Sequence, residues 1–211
     1  MWAKAHQGID IDIHKTIIYP DESHINLWGS DGEQWCHRQP HEANLARNLK
    51  TKKQQGGGGL MVWGCILHQG VGHLYHIISA MNAIQYCKVL EEVLIPSIHD
   101  AGMQEWNLTF QQDNARAHMA HISKAKIEKL GLNVMSWPPG SPDQNIIEHV
   151  WAILKNQIRK RRQKLKNLDK FWVMAQEEWY AIPRDQIEAL YDSVPRRIDA
   201  LVDARGWYTK Y

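Results

Sequence analysis

The sequence has 211 residues, 44% apolar and 23% charged, with a formal net charge of +2. A chain of this size can bury roughly 70% of its unfolded surface, so it forms a full core without staples, and its composition excludes disordered, collagen-like and coiled-coil classes. No run approaches 18 apolar residues, which excludes a transmembrane helix, and the first residues lack the apolar stretch of a signal peptide. Three widely spaced cysteines (Cys36, Cys65, Cys87) make neither a disulfide framework nor a CxxC pair. With no secretion signal, they point to a reducing compartment.

The small net charge hides a segregation. Between Lys155 and Lys170 eight cations face Asp169 alone, a net +7 that leaves −5 for the rest of the chain. A concentrated basic stripe on an acidic body is the pattern of a polyanion-binding surface.

In chain order, residues 14–20 (HKTIIYP) predict a strand ending near Asp21. Residues 25–39 predict two short strands about Gly29-Ser30-Asp31-Gly32, and residues 40–55 a polar connection leading to the glycines 56–59. LMVWGCIL (60–67) and VGHLYHII (71–78) predict a hairpin. From Met81 the period changes: Ala83, Tyr86, Val89, Leu90, Val93 and Leu94 recur at helical spacing. WNLTFQQD (106–113) predicts a strand, HMAHISKAKIEKLG (118–131) a helix closed by Gly131, and LNVMSW (132–137) a last strand. A long helix starts near Asn145 with Ile147, Val150, Trp151, Leu154 and Ile158 on one face. The tail from Leu168 to Asp203 is helical, with interruptions near Pro183 and Pro195. Strands first, then alternating helices and strands, describe an α/β domain with a sheet covered on both faces and a helical C-terminal extension.

Two acids share a context. Asp21 and Asp113 each end a β-forming run, where open α/β sheets place ligands. Adjacent carboxylates repel unless a cation lies between them, and an oxygen-seeking ion such as Mg²⁺ or Mn²⁺ suits such a pair. Glu148 is a third candidate. It opens a helix flank that continues through residue 152 to Lys155, Arg159 and Arg162, one row with a candidate metal ligand first and phosphate partners after. Simpler readings compete: Asp113-Asn114 before a helix fits N-capping, and Asn145-Ile-Ile-Glu148 fits a capping box. Asp10, Asp12, Glu22, Asp31 and Asp143 compete for a place in any acid cluster.

Four ordered blocks then single out a family. Pro20-Asp21-Glu22-Ser23, Met61-Val62-Trp63-Gly64-Cys65-Ile66 with Gly70-Val71-Gly72, Gln111 to His118 (QQDNARAH), and Trp137 to Glu148 resemble the catalytic domain of Tc/mariner-type DDE transposases. The 34 residues between Asp113 and Glu148 match the Tc branch, where the third acid is glutamate, and the similarity extends from about Trp2 to the C-terminus. The resemblance implies a ribonuclease-H-like fold, a mixed five-stranded sheet flanked by helices. It divides the chain into a catalytic domain (1–167) and a helical extension packed on it (168–211), with the family's N-terminal helix-turn-helix region absent. It implies Asp21, Asp113 and Glu148 as catalytic acids holding two Mg²⁺ or Mn²⁺ ions when DNA is bound. Asn114, His118 and His149 support them, and Lys155, Arg159 and Arg162 contact the DNA backbone. The activity implied is phosphodiester hydrolysis at transposon ends followed by strand transfer. The partner is double-stranded DNA, end and target; a homodimer is compatible, a membrane or nucleotide cofactor is not. The site of action is the nucleus for an intact eukaryotic protein, otherwise the cytoplasm, without secretion. The alternative from another class is a non-catalytic, truncated remnant that binds DNA or a partner.

The departures from the family pattern lower the expected activity. Pro20 replaces a serine and brings no N–H to what should be a central strand. Gln144 and Ile146 replace leucine and proline before Glu148. A zinc reading built on His118-x-x-His121 or on Cys36, His37 and His41 lacks the paired ligands that such sites carry, and Trp63, Trp151 and Trp172 sit in apolar surroundings that favour core packing over base stacking.

Overall fold

The structure, a computed structural model, describes residues 2–27, 58–138, 141–161, 167–207 and 209. After two short helices, α1 (Trp2–His6) and α2 (Ile11–His14), come β1 (Ile17–Asn26), β2 (Gly59–Leu67), β3 (Gly70–Val71) and β4 (Tyr75–Ile77). Helices α3 (Ala83–Val89) and α4 (Ile95–Asp100), β5 (Thr109–Phe110), α5 (Arg116–Met119), α6 (His121–Lys129) and β6 (Asn133–Val134) follow. Three long helices close the chain: α7 (Ile147–Arg161), α8 (Leu168–Tyr180) and α9 (Arg184–Asp203). The strands form one mixed sheet in the order β3-β2-β1-β5-β6, with β4 also paired to β2. Because β1 occupies one edge of β2, β3 and β4 share the other, so six short strands fill five positions of the ribonuclease-H-like sheet.

Strand alternation sorts the core into two layers. Ile17, Tyr19 and Ile25 of β1 and Leu60, Val62 and Ile66 of β2 face one side, where they pack with α7, α8 and α9 through Val150, Trp151, Phe171, Trp179 and Tyr191. Ile18, Trp63, Cys65 and Leu67 face the other, against Tyr86, Val89, Leu90 and Ile98. The face of α7 read from the sequence, Ile147, Val150, Trp151, Leu154 and Ile158, is the buried one. Trp63 and Trp151 are core residues, and Trp172 is half-buried with its ring stacked on His76. No helix among the described residues is long and apolar enough to cross a membrane.

Several local expectations are corrected by tertiary context. Strand β1 does not end near Asp21 but runs to Asn26, because residues 19–26 pair antiparallel with β2. The hairpin is broken at Gly72. A Cβ there would meet Cys65 Sγ at 2.5 Å, the Gly72 carbonyl accepts from Trp179 Nε1 at 2.7 Å, and the His73 N–H turns to Ser97 Oγ at 2.8 Å. The helix from residue 83 passes through one π turn, Leu90–Leu94. Pro96 lacks the N–H that would bond Glu92 and its ring crowds that carbonyl, and a wider turn just before it relieves the conflict. Strands β5 and β6 keep only two paired residues each. The helix expected over 118–131 is split at Ala120, whose ψ of 147° is extended, and Ser123 Oγ donates to the Ala117 carbonyl beside the break. Gly131 has the positive φ, 68°, of a helix-closing glycine. Pro183 does separate α8 from α9, whereas Pro195 lies inside α9. One lost backbone bond is offset there by burial of Tyr191, Val194, Ile198 and Leu201. The strands expected about residues 29–32 and the polar connection after them fall outside the described residues.

Tyr191 shows how α9 holds the sheet. Its hydroxyl, fully buried, donates to the carbonyls of Ile17 (2.6 Å) and Ile66 (3.1 Å), just past the Tyr19–Ile66 pair where the β1–β2 ladder begins. Tyr191→Phe leaves the Ile17 carbonyl, which lies beyond the end of the ladder, without this donor in the core and should cost about 1–3 kcal/mol, read as a fall of roughly 3–8 °C in melting temperature. A shift within 1 °C in thermal denaturation would show that water or a rearranged donor takes over.

Candidate active site

The site arises where the sheet splits. Strand β1 pairs with β5 in parallel only at Ile17–Thr109 and Ile18–Phe110. The Gln111 N–H still reaches the Ile18 carbonyl at 3.1 Å, after which residues 112–115 peel away and leave a cleft at the carboxyl ends of two parallel strand segments. This explains Pro20. Backbone groups alternate sides along a strand, so residues 18 and 20 both point toward β5, and the N–H that Pro20 lacks would have faced the edge that β5 has already left. The expected damage to a central ladder does not arise.

The cleft, about 400 Å³, is lined by Asp21, Glu22, Gln111, Asp113, Asn114, His118, Trp137 and Asn145, among others. Asp113 lies on the loop after β5, its Oδ1 accepting from the Ala115 N–H at 2.9 Å and paired with His118 Nδ1 at 2.6 Å. His118, whose side chain is 7% exposed, lies against Tyr86 with ring centroids 4.1 Å apart and planes tilted by 33°, and its Nε2 lies 3.4 Å from Glu22 Oε1. Asn114 Nδ2 donates to the Trp137 carbonyl at 3.4 Å, so its side chain steadies the cleft wall. Asn145 is buried and joins two elements: its Nδ2 donates to the Pro20 carbonyl (3.2 Å) and to Asp21 Oδ2 (3.4 Å), while its Oδ1 accepts from Ile147 N at 3.4 Å. It therefore caps α7 and ties it to β1 at once. The capping box itself does not form, since Glu148 makes no side-chain hydrogen bond back to Asn145.

Charge is concentrated unevenly. Burial, then the Glu148 and Glu22 carboxylates, push Asp21 up to about 8. Asp113 moves the opposite way: its hydrogen bond with His118 holds it below the ordinary carboxylate range, against partial burial. Burial alone would lower His118, but Asp113 and Glu22 outweigh it and raise the imidazole to about 9.

Glu148 is exposed on the first turn of α7 and opens not on this cleft but on a neighbouring groove of about 830 Å³ between α7 and α9, lined by His149, Trp151, Ala152, Lys155, Asn156, Arg159 and Gln186 among others. Its charge nonetheless raises Asp21, so the third acid is electrostatically coupled to the first. The flank read from the sequence is present: Glu148, Ala152, Lys155 and Arg159 line one groove. Arg162 lies outside the described residues, and Arg161 is engaged by Glu177 and Glu178 of α8. His149 does not line the acid cleft; it lies beside Arg197, 3.3 Å from its Nη2. Asp143 is also elsewhere, accepting from Thr209 at 3.0 Å.

Among the described residues no three His, Cys, Asp or Glu side chains form a ready-made metal cage. The donors that line the cleft nevertheless suit a hard cation. They are carboxylate and amide oxygens, and Gln111 Oε1 is buried and accepts no hydrogen bond among the described residues. His118 is committed to two carboxylates, a poor arrangement for the zinc reading, and Cys36, His37 and His41 lie outside the described residues. Sequence reasoning named Glu22 only as a competitor and missed Gln111 and Asn145. Asn145 had a signal, a polar residue just before a long amphipathic helix, but nothing in the sequence shows that it also reaches β1.

Comparisons with known proteins identify relatives of this chain. The family model described as DDE superfamily endonuclease matches residues 16–171. The Tc1 transposase of Caenorhabditis elegans is 35% identical over 211 residues, all of this chain and 76% of that protein, and the Tcb1 transposase of Caenorhabditis briggsae is 33% identical over the same share. A Mos1 transposase paired-end complex with the left transposon end superimposes with a TM-score of 0.77 at 16% identity, covering 99% of this chain. The chain spans 60% of the length of that Mos1 chain, and 91% of the length of the Mos1 catalytic domain solved with Raltegravir and Mg, whose TM-score is 0.70. The match across most of the chain, with relatives above 30% identity along its whole length, shows that this chain belongs to the DDE superfamily endonucleases, in the Tc1/mariner group of transposases.

Proposed function

We propose that the chain is the catalytic domain of a metal-dependent DNA transposase. It hydrolyses phosphodiester bonds at transposon ends and joins the freed ends to target DNA. The observation that carries this reading is the split sheet, which puts Asp21 and Asp113 in one cleft and leaves Glu148 near enough to perturb Asp21. We read residues 1–167 as the catalytic unit and 168–211 as helices packed on it.

Asp21, Asp113 and Glu148 would hold Mg²⁺ or Mn²⁺, and relatives solved with Mg and Mn support that choice. Such ions, when bound, activate water or a 3′-hydroxyl and stabilise the leaving oxygen. The rest is done by the chain itself. His118 keeps Asp113 ionised and oriented. Asn145 holds the Asp21 strand against the first turn of α7, three residues before Glu148. Lys155 and Arg159, further along the same helix, would neutralise the backbone phosphates of the duplex that enters the groove, positioning it without reading sequence. The Asp113 side chain is largely exposed, so DNA phosphates would be able to complete the coordination of an ion held there. Duplex DNA places the site of action, in an intact eukaryotic protein, in the nucleus.

Two measurements test this. With Mn²⁺, the chain should nick supercoiled DNA, and Glu148→Gln should lower the rate by at least about 100-fold while leaving the melting temperature within about 2 °C, as expected for an exposed side chain that makes no hydrogen bond among the described residues. Undiminished nicking in the variant would remove Glu148 from the site, and a folded wild type without metal-dependent nicking, alone or fused to an end-binding domain, would favour the remnant. Separately, changing Lys155 and Arg159 to Gln should weaken binding to every duplex alike and lower the slope of log affinity against log salt by roughly 1–2 units. Coincident slopes would withdraw the groove as the DNA path and leave the acid cleft untouched.

A further inference from the structure

The loop that carries Asp113 has little to hold it. Strand β5 is two residues long, the chain peels from β1 after Gln111, and the Asp113 side chain is 62% exposed. What fixes it crosses the cleft. His118 Nδ1 grips Asp113 Oδ1 at 2.6 Å, the opposite ring nitrogen faces Glu22 Oε1 at 3.4 Å, and Tyr86 covers the ring. Tyr86 is itself buried and donates to Gln112 Oε1 at 2.5 Å, so the same aromatic pair also pins the residue before Asp113. Glu22 is anchored independently by the β1–β2 ladder, opposite Trp63. The Nε2–Oε1 contact is an ion-pair distance with oblique geometry, so Glu22 Oε1 is drawn to the ring without accepting a hydrogen bond from it. A single imidazole thus spans from the central strand to the most exposed acid of the cleft.

We propose that Glu22 and His118 are positioning residues for Asp113: Glu22 sets the plane of the His118 ring from β1, and the ring holds Asp113 Oδ1, leaving Oδ2 as the oxygen free to bind a divalent cation. The inference rests on the acid-cleft reading above. It assigns Glu22, adjacent in sequence to Asp21, a task different from that of its neighbour. Asp21 faces the α7 layer, whereas Glu22 projects to the opposite side of the strand and acts through His118. Partners of this kind that orient a metal-binding carboxylate typically change metal affinity by about 10–100-fold when removed.

The amide side chains discriminate this role from general packing. The nitrogen of Asn can occupy the place of His Nδ1, and that of Gln the place of His Nε2. His118→Asn should therefore still donate to Asp113, while His118→Gln should not; both lose the ring contact with Tyr86, so any packing loss is common to the pair. Mn²⁺ titrated into the full chain, with free ion followed by electron paramagnetic resonance, should show for His118→Asn, which keeps the donor to Asp113 but loses the link to Glu22, a loss no larger than that of Glu22→Ala, and for His118→Gln a larger loss of about 10-fold or more. Glu22→Ala should weaken Mn²⁺ binding in the wild-type background but add little in His118→Asn, where the link to residue 118 is already cut. Equal affinities for the Asn and Gln variants, or an equal Glu22→Ala loss in both backgrounds, would overturn the proposal. Asp113→Asn separates the two levels. If it abolishes Mn²⁺ binding while the Asn and Gln variants coincide, only the positioning role falls. If it binds Mn²⁺ like wild type, the acid-cleft reading falls and this inference with it.

Discussion

Asp21→Asn should eliminate metal-dependent nicking and at the same time make the cation-free protein more stable. Asp21 is pushed up to about 8 by burial and by Glu148 and Glu22, against an ordinary value of 3.8. A folded-state value above the unfolded one means that the native state binds the extra proton. Stability is then greatest below about pH 4 and is lost progressively as pH rises through 8. That displacement corresponds to about 6 kcal/mol as a ceiling, and water reaching this half-buried carboxylate reduces that to about 2–3 kcal/mol. Asparagine removes the penalty and keeps an oxygen for Asn145 Nδ2. The variant should melt roughly 5–10 °C above wild type at about pH 8.5, with the gap closing toward pH 4. Adding Mn²⁺ should narrow the gap from the other side, because the ion stabilises only the chain that binds it. A pH-independent difference, or a less stable variant, would show that Asp21 is not strained in the cation-free protein.

The second large effect concerns the α8 layer. Trp179 is fully buried, stacks on Trp151 with centroids 4.9 Å apart, and donates from Nε1 to the Gly72 carbonyl at 2.7 Å. Both indoles lie over Gly64, where an added Cβ would meet Trp151 Cη2 at 2.9 Å. The glycine of the MVWGC block is therefore a seat for two stacked tryptophans. Trp179→Ala should cost about 3–5 kcal/mol and lower the melting temperature by roughly 8–15 °C. Trp179→Phe, which keeps most of the apolar volume and loses the donor, should fall between. Gly64→Ala tests the same contact from below, with about 1–3 kcal/mol expected from overpacking. If Trp179→Phe were as damaging as Trp179→Ala, the hydrogen bond to Gly72 rather than the stack would dominate.

Much of this protein is written in local pattern. The buried face of α7 follows from the spacing of Ile147, Val150, Trp151, Leu154 and Ile158, and the apolar β2 run, the closing Gly131 and the family blocks around Asp21, Asp113 and Glu148 are equally readable. Those features depend on neighbours in sequence, whose periodicity and turn chemistry act over a few residues. What spacing could not supply was the point at which strands part. The length of β1 is decided by its antiparallel partner β2, and the two-residue β5 by where residues 112–115 leave the sheet. From that divergence come the cleft and the harmless position of Pro20. Long-range side-chain contacts decided the remainder. Asn145 reads as a helix cap and proves to bridge to Asp21, Pro195 reads as a helix breaker and is carried by the buried face of α9, and His118 reads as a neighbour of Asp113 and also reaches Glu22. Glu148 was readable as the head of a basic flank, but its separation from the acid cleft into the α7–α9 groove was not. A local pattern specifies which face of an element is apolar; only packing against other elements, with loop closure and desolvation included, sets which polar groups meet across the gap.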